Sequence, residues 1–192
     1  MTAGRGVVHS EMPEQEEGVM EGFQLWLNLA SSQKMCSPAY EDIQSDTIPE
    51  YQPHESIRVR VISGESNGVQ GAVHRPIDLF PTNPLYLDIH FEAESCFQQR
   101  LNPLHNAFLF VYRGHVNVIS DSAKIAVNLH RMAILQNEGN GVVIEGSPGA
   151  KILLIAGQPL NEPIAQHGPF VMNTREELIQ AVDDFRAGLF GT

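Results

Sequence analysis

The chain has 192 residues, 42% of them hydrophobic, with 23 acidic residues, 12 Lys or Arg residues and a formal net charge of −11. This length and apolar content allow one large or two small domains, and the 16 glycines and 12 prolines favour turns over long helices. The acidic charge, without a cluster of Lys and Arg, argues against direct nucleic-acid binding.

The apolar residues and the cysteines indicate the compartment. No apolar run is long enough to span a membrane, and no basic region followed by an apolar stretch predicts a signal peptide. Cys36 and Cys96 are the two cysteines, and free thiols in a reducing compartment explain them better than a disulfide does. We therefore expect a cytoplasmic protein.

The first chemical feature along the chain is the pair His9 and Glu11, which follows the β-branched residues Val7 and Val8. On a strand, residues two apart project from the same face, so the imidazole and the carboxylate would point into one pocket. Both are ligand types for Zn, Fe, Ni or Mn. The pair is half of a metal site, because three or four protein ligands are usual.

Alternating or continuous apolar residues predict a series of short strands. Asn67-Gly68 is a hairpin signal between two of them, and glycines separate the later ones. Short strands at this spacing indicate a β-sandwich or barrel. The predicted strands cover residues 23–29, 57–62, 85–91, 107–112, 115–119, 125–129, 132–135, 142–145 and 152–155.

The C-terminal segment predicts a helix. Thr174 and Glu177 form a capping box, in which Thr174 is the N-cap and Glu177 reaches back to it. An apolar face follows, and Gly188 is a plausible end of the helix. The residues of that face are Leu178, Val182, Phe185 and Leu189.

Two long blocks of sequence resemble the pirin family. The segment 1–13, Met-Thr-Ala-Gly-Arg-Gly and then His9-Ser-Glu11-Met-Pro, is similar to the motif that closes the N-terminal cupin of pirins, and 23–29 is similar to the strand after it. The second block runs from residue 154 to residue 174. The resemblance covers essentially the whole chain.

The resemblance implies an all-β cupin fold, that is, a double-stranded β-helix or jelly-roll barrel. It implies that residues 1–48 are the remainder of an incomplete N-terminal cupin, and that residues 49–192 form a complete C-terminal cupin with a terminal helix. On this expectation the chain begins inside the first barrel, through a misplaced start codon or a truncated gene.

The resemblance also implies that His9 and Glu11 are metal ligands, for Fe(II) or another divalent transition metal. Pirins add a His-x-His pair upstream, and no such pair occurs among the other histidines: His54, His74, His90, His105, His115, His130 and His167. We therefore expect loss of tight metal binding unless the gene product is longer. The second barrel offers only His105 at its first motif, so we expect that barrel to be metal-free.

The other residues have structural interpretations. We expect His90 to face outward from an apolar strand, to solvent or a hydrogen bond, and His115 to be exposed. We expect His167 to be a buried structural residue, and Trp26 to belong to the core more readily than to a substrate platform.

Three functions remain open. By resemblance the chain is a metal-dependent quercetin 2,3-dioxygenase-type oxidoreductase acting on a flavonol, with Glu11 also as the base that takes the hydroxyl proton. The alternative is a non-catalytic regulatory protein that binds a transcription factor or a metabolic enzyme. The third is an incomplete barrel without function, present as a monomer or as a dimer paired through its exposed strand edge.

Overall fold

A computed structural model describes residues 1–12, 16–73, 80–120 and 123–190. Pro13 and Glu14 of the first motif and its acidic loop, and His74, lie outside these residues. Contacts divide the chain into two compact units. Unit 1 consists of Met1–Glu41 together with Leu160–Thr192, and unit 2 is Asp42–Pro159. The predicted assignment of residues 1–48 and 49–192 to two cupins stays a prediction.

Strands dominate the described residues, which include one α-helix near their C-terminal end. Short 3₁₀ turns occur at Ser31–Gln33 and Ser45–Thr47. Among the described residues, no helix is both long enough and apolar enough to cross a membrane. The elements are β1 Glu50–His54, β2 Ile57–Ser63, β3 Glu65–Ser66, β4 Val69–Gln70, β5 Leu85–Phe91, β6 Ser95–Arg100, β7 Asn106–Arg113, β8 Val116–Ile119, β9 Lys124–Val127, β10 Met132–Leu135, β11 Gly141–Gly146, β12 Lys151–Gly157, β13 Ala165–His167, β14 Phe170–Met172 and α1 Arg175–Arg186.

Unit 2 is a cupin built from two antiparallel sheets. One sheet has the order β1-β2-β5-β12-β7-β10, and the other has the order β6-β11-β8-β9. Side chains from both sheets are buried in one core, including Leu87 and Leu154 from the first and Phe97 and Ile144 from the second. The predicted all-β cupin fold is confirmed.

The sequence pattern predicts the central strands closely. In β2 and β5 every second residue is buried, because one face covers the core, and all of these residues except Ser63 are apolar. Asn67 and Gly68 both have positive φ, 50° and 83°, between the paired strands β3 and β4. This backbone is the one a two-residue hairpin turn requires, so the hairpin prediction is confirmed.

The segment 23–29 is not a strand. It has no regular secondary structure, and Phe23, Leu25 and Leu27 are 44%, 40% and 50% exposed. Its alternation gives a strand pattern, but a strand also needs a hydrogen-bonding neighbour, and no described strand pairs with it. Conversely, β6 was missed because its inward position Gln99 is polar, although only 6% of Gln99 is exposed.

Unit 1 contains the hairpin β13–β14 and the helix α1. The capping box is present as predicted: the Thr174 hydroxyl accepts from the Glu177 backbone N–H, and the Glu177 carboxylate accepts from the Thr174 N–H. The rings of Phe170, Phe185 and Phe190 meet edge to face, with centroids 5.6–6.0 Å apart. These contacts hold the helix against the hairpin.

Candidate metal centre

The segment that carries His9 and Glu11 is anchored at its beginning. Thr2 and Ala39 exchange backbone hydrogen bonds of 2.7 and 3.0 Å, and the Arg5 N–H donates to the Cys36 carbonyl. Gly4 has φ of +51°, and a Cβ there would lie 2.1 Å from the Cys36 oxygen. Only glycine therefore allows this close approach of the two backbones.

His9 and Glu11 are both exposed and belong to no strand. The expectation that a strand presents the pair is wrong for the described structure, because the pairing at Thr2 is an isolated bridge that does not extend to residues 9–11. The metal-binding role of the pair itself stays a prediction.

A hydrogen-bonded chain of side chains ends at Glu11. Gln24 Nε2 lies 3.1 and 3.2 Å from the two carboxylate oxygens of Glu11, and Trp26 Nε1 donates to Gln24 Oε1 over 3.0 Å. The structure thus brings Glu11 together with two residues that were not predicted to belong to the site.

The donor chemistry of the pair suits a divalent transition metal, but the pair is incomplete. An imidazole nitrogen and a carboxylate oxygen are common ligands for Fe, Mn, Ni and Zn. Within residues 1–12, 16–73, 80–120 and 123–190, no three His, Cys, Asp or Glu side chains are grouped so that they could hold a metal ion. His9 and Glu11 are therefore suitable donor types for a metal but do not form a site by themselves.

Two protein-family models match this chain, one in its N-terminal segment and one in its C-terminal half. A model described as the pirin C-terminal cupin domain matches residues 86–191, and a model described as pirin matches residues 1–27. The chain belongs to the pirin family. Both blocks on which the sequence resemblance rested overlap the matched ranges, and the predicted resemblance is confirmed.

Individual pirin relatives match nearly the whole chain. A pirin-like protein of Caulobacter vibrioides is 41% identical over 191 residues, which are 99% of this chain and 66% of the relative. Human pirin is 41% identical over 188 residues, which are 97% of this chain and 62% of the relative. The chain thus spans somewhat less than two thirds of the length of these pirins.

A solved structure shares the fold of most of this chain. A quercetin 2,3-dioxygenase from Acinetobacter baumannii matches with a TM-score of 0.78 and 32% sequence identity. The match covers 87% of this chain and 56% of that chain.

A second polar group in unit 1 surrounds Lys34, which is only 6% exposed. Lys34 Nζ donates to Asn28 Oδ1 over 2.7 Å and to the Val171 carbonyl over 3.1 Å. Burial lowers the pKa of Lys34, against the opposite effect of Glu162 and Glu177. These bonds join the segment after the candidate centre to strand β14.

Glu162 makes the second link between the two ends of the chain. Its carboxylate accepts from the Ser31 backbone N–H over 2.7 Å, from the Ser31 hydroxyl over 3.0 Å and from Asn173 Nδ2 over 3.1 Å. The Ser31 backbone bond is the main reason why the pKa of Glu162 is lowered. Glu162 is thus held as a carboxylate by donors from both ends of the chain.

The cupin barrel of unit 2 carries a separate Asp–His–Tyr group on the outward face of its larger sheet. Tyr112 donates to Asp88 Oδ1 over 2.6 Å, and His90 Nε2 lies 3.1 Å from both Asp88 oxygens. Arg58 Nη2 lies 3.1 Å from His90 Nδ1. Since a guanidinium only donates, Nδ1 accepts, and Nε2 therefore carries the proton that is donated to Asp88.

The charge state of this group follows from these bonds. Burial raises the pKa of Asp88, but the hydrogen bonds from His90 and Tyr112 and the charge of Arg60 lower it by more. The pKa of Asp88 is therefore below its ordinary value. His90 faces outward into a hydrogen bond, as predicted. We assign the group a structural role, because it links β2, β5 and β7 across one face of the sheet.

The remaining histidine predictions have mixed outcomes. His115 is exposed, as predicted, but His167 is also exposed, so its predicted burial is wrong. It lies at the end of β13 beside the turn into β14. His105 is half-buried and lines a pocket of about 310 Å³ with Arg100, Glu65 and Asn102. Burial lowers the pKa of His105.

Proposed function

We propose that this pirin-family chain contributes to a metal-dependent oxidoreductase of the quercetin 2,3-dioxygenase type, with a flavonol as substrate. The observation that carries the proposal is the exposed pair His9 and Glu11 within the segment that matches pirin, with Glu11 already held by a neighbouring amide. The 32% identity to a quercetin 2,3-dioxygenase of known structure supports the reaction class.

In this proposal His9 binds the metal through a neutral imidazole and Glu11 binds it through a carboxylate oxygen. Fe(II) or another divalent transition metal would act as a Lewis acid and would orient the substrate oxygen. A carboxylate beside a flavonol hydroxyl is also suited to take its proton, which gives Glu11 a second role. Since three or four protein ligands are usual, the proposal requires further ligands beside this pair.

Oxygen consumption tests the proposal directly. The full chain is incubated with Fe(II) and quercetin, and dioxygen uptake is compared with that of His9→Ala and Glu11→Gln. His115→Ala is the matched control, since it removes an exposed histidine from unit 2. We expect flavonol-dependent uptake in the wild type and the control, and its loss in the two site variants. No uptake by the metal-loaded wild type would overturn the proposal.

Exposed apolar side chains favour a second candidate function, the non-catalytic binding of a regulatory protein partner in the cytoplasm. Ile134 and Met132 lie on the edge strand β10 and are 81% and 53% exposed. An unpaired edge with apolar side chains is a site where another chain can add. Ile134→Lys should then retain less of a partner from source-cell lysate than the wild type does. Equal retention by the wild type and the variant would count against this function.

A further inference from the structure

We infer that Gln24 and Trp26 are positioning residues that fix the Glu11 carboxylate for metal binding. The inference rests on the proposed function, because it assumes that Glu11 is a ligand. Its structural basis is the chain of three hydrogen bonds, from Trp26 Nε1 to Gln24 Oε1 and from Gln24 Nε2 to both oxygens of Glu11.

The direction of each bond follows from donor chemistry. An indole nitrogen only donates, so the oxygen of the Gln24 amide must face Trp26. The amide NH₂ must then face Glu11, whose ionised carboxylate only accepts. Trp26 therefore determines which end of the Gln24 amide meets the carboxylate, and an amide turned the other way would oppose two oxygens to each other.

The arrangement leaves room for a metal. An ionised carboxylate offers about four lone-pair positions on its two oxygens. Gln24 Nε2 is almost equidistant from the two oxygens, 3.1 and 3.2 Å, and occupies one side of the carboxylate. Each oxygen keeps a further position for a ligand bond. The amide limits the rotation of the Glu11 side chain, so less conformational entropy is lost when a metal binds.

The exposure of Trp26 supports a polar role. The side chain is 60% exposed, so the expectation that Trp26 belongs to the core is wrong, and burial of the indole ring does not explain this residue. Its described hydrogen bond is the one from the indole N–H to Gln24. The same bond would be lost if another aromatic ring without a donor took its place.

The first part of the test examines the hydrogen bonds without a metal. Trp26 is the single tryptophan of the chain, so its indole N–H gives one resolved proton resonance in the NMR spectrum of the full protein. We expect Gln24→Met, which keeps the length of the side chain and removes the amide, to shift that resonance. An unchanged resonance would overturn the inference, whatever the protein does with metals.

The second part measures Co²⁺ binding by calorimetry. We expect Gln24→Met and Trp26→Phe to weaken Co²⁺ binding by roughly 10- to 100-fold, the usual effect of removing a partner of a ligand. Gln44→Met is the matched control, since Gln44 Nε2 donates to Asp42 over 2.7 Å in unit 2. It removes a comparable amide-to-carboxylate bond and should leave Co²⁺ affinity unchanged.

The outcomes separate the inference from the proposed function. If His9→Ala weakens Co²⁺ binding but Gln24→Met does not, the positioning role is wrong and the metal site stands. If neither variant changes the Co²⁺ titration, or the wild type binds no Co²⁺, both the site and the positioning role are overturned. Trp26→Phe distinguishes the indole N–H from the ring, because phenylalanine keeps an aromatic surface and lacks the donor.

Discussion

Replacing Gly146 by alanine should destabilise the cupin barrel through contact with one buried ring. A Cβ at this position would lie 2.2, 2.4 and 2.5 Å from three ring carbons of Phe91. Favourable carbon contacts are at about 3.5 Å or more, so the ring would have to move by roughly 1 Å. The Phe91 side chain is 1% exposed and cannot turn out to solvent. Overpacking of this kind costs about 1–3 kcal/mol, and we expect the upper end of that range.

Urea unfolding followed by circular dichroism measures this effect. Gly139→Ala is the control, because Gly139 has φ of +76° and a Cβ there has no neighbour within 4 Å, so only backbone strain of about 1 kcal/mol is expected. The double variant Gly146→Ala/Phe91→Leu should recover part of the loss, because the smaller side chain relieves the contact. If Gly146→Ala unfolds at the wild-type urea concentration, or if the double variant shows simple additivity, the steric argument is wrong.

Three further predictions concern stability. Because the pKa of Asp88 is lowered in the folded protein, its contribution is present above the ordinary value of 3.8 and is lost as pH falls through the folded value, so Asp88→Asn should reduce the acid sensitivity of urea unfolding. Thr174→Ala removes the N-cap acceptor and should cost about 1 kcal/mol, measured as a loss of helical signal on heating. Lys34→Met leaves the Asn28 oxygen and the Val171 carbonyl without their donor and should cost about 1–3 kcal/mol. Burial lowers the pKa of Lys34 in the folded protein, so the unfolded chain binds this proton more readily than the folded protein does. The free energy of unfolding of the wild type should therefore increase relative to that of Lys34→Met as pH rises towards 10.5.

The barrel could be predicted from the sequence where apolar side chains alternate over a full strand. Ile57, Val59 and Val61 show the pattern in β2, and the structure buries all three. The prediction failed where a buried side chain is polar. Gln99 is buried because its amide bonds to Ser66 and to the Arg100 carbonyl, and a hydrophobicity pattern cannot register such bonds.

The candidate site could be predicted only in part, for a similar reason. His9 and Glu11 are recognisable from their residue types and their spacing. The role of Gln24 depends on a side-chain bond across 13 residues of sequence, for which spacing gives no signal. The sequence did place Gln24 and Trp26 on one face of an alternating segment, and that part of the pattern is retained although no strand forms.

Unit 1 is assembled from the two ends of the chain, and this has a consequence for protein synthesis. Unit 2 is continuous, so a growing chain can fold it while translation continues. The hydrogen bonds between Ser31 and Glu162 and between Lys34 and the Val171 carbonyl can form only after the segment that follows unit 2 has been synthesised. The segment carrying His9 and Glu11 is therefore synthesised before unit 2 but gains its partners from residues 160–192 only after unit 2, and a premature stop before residue 160 would spare the barrel's core while leaving that segment without those partners.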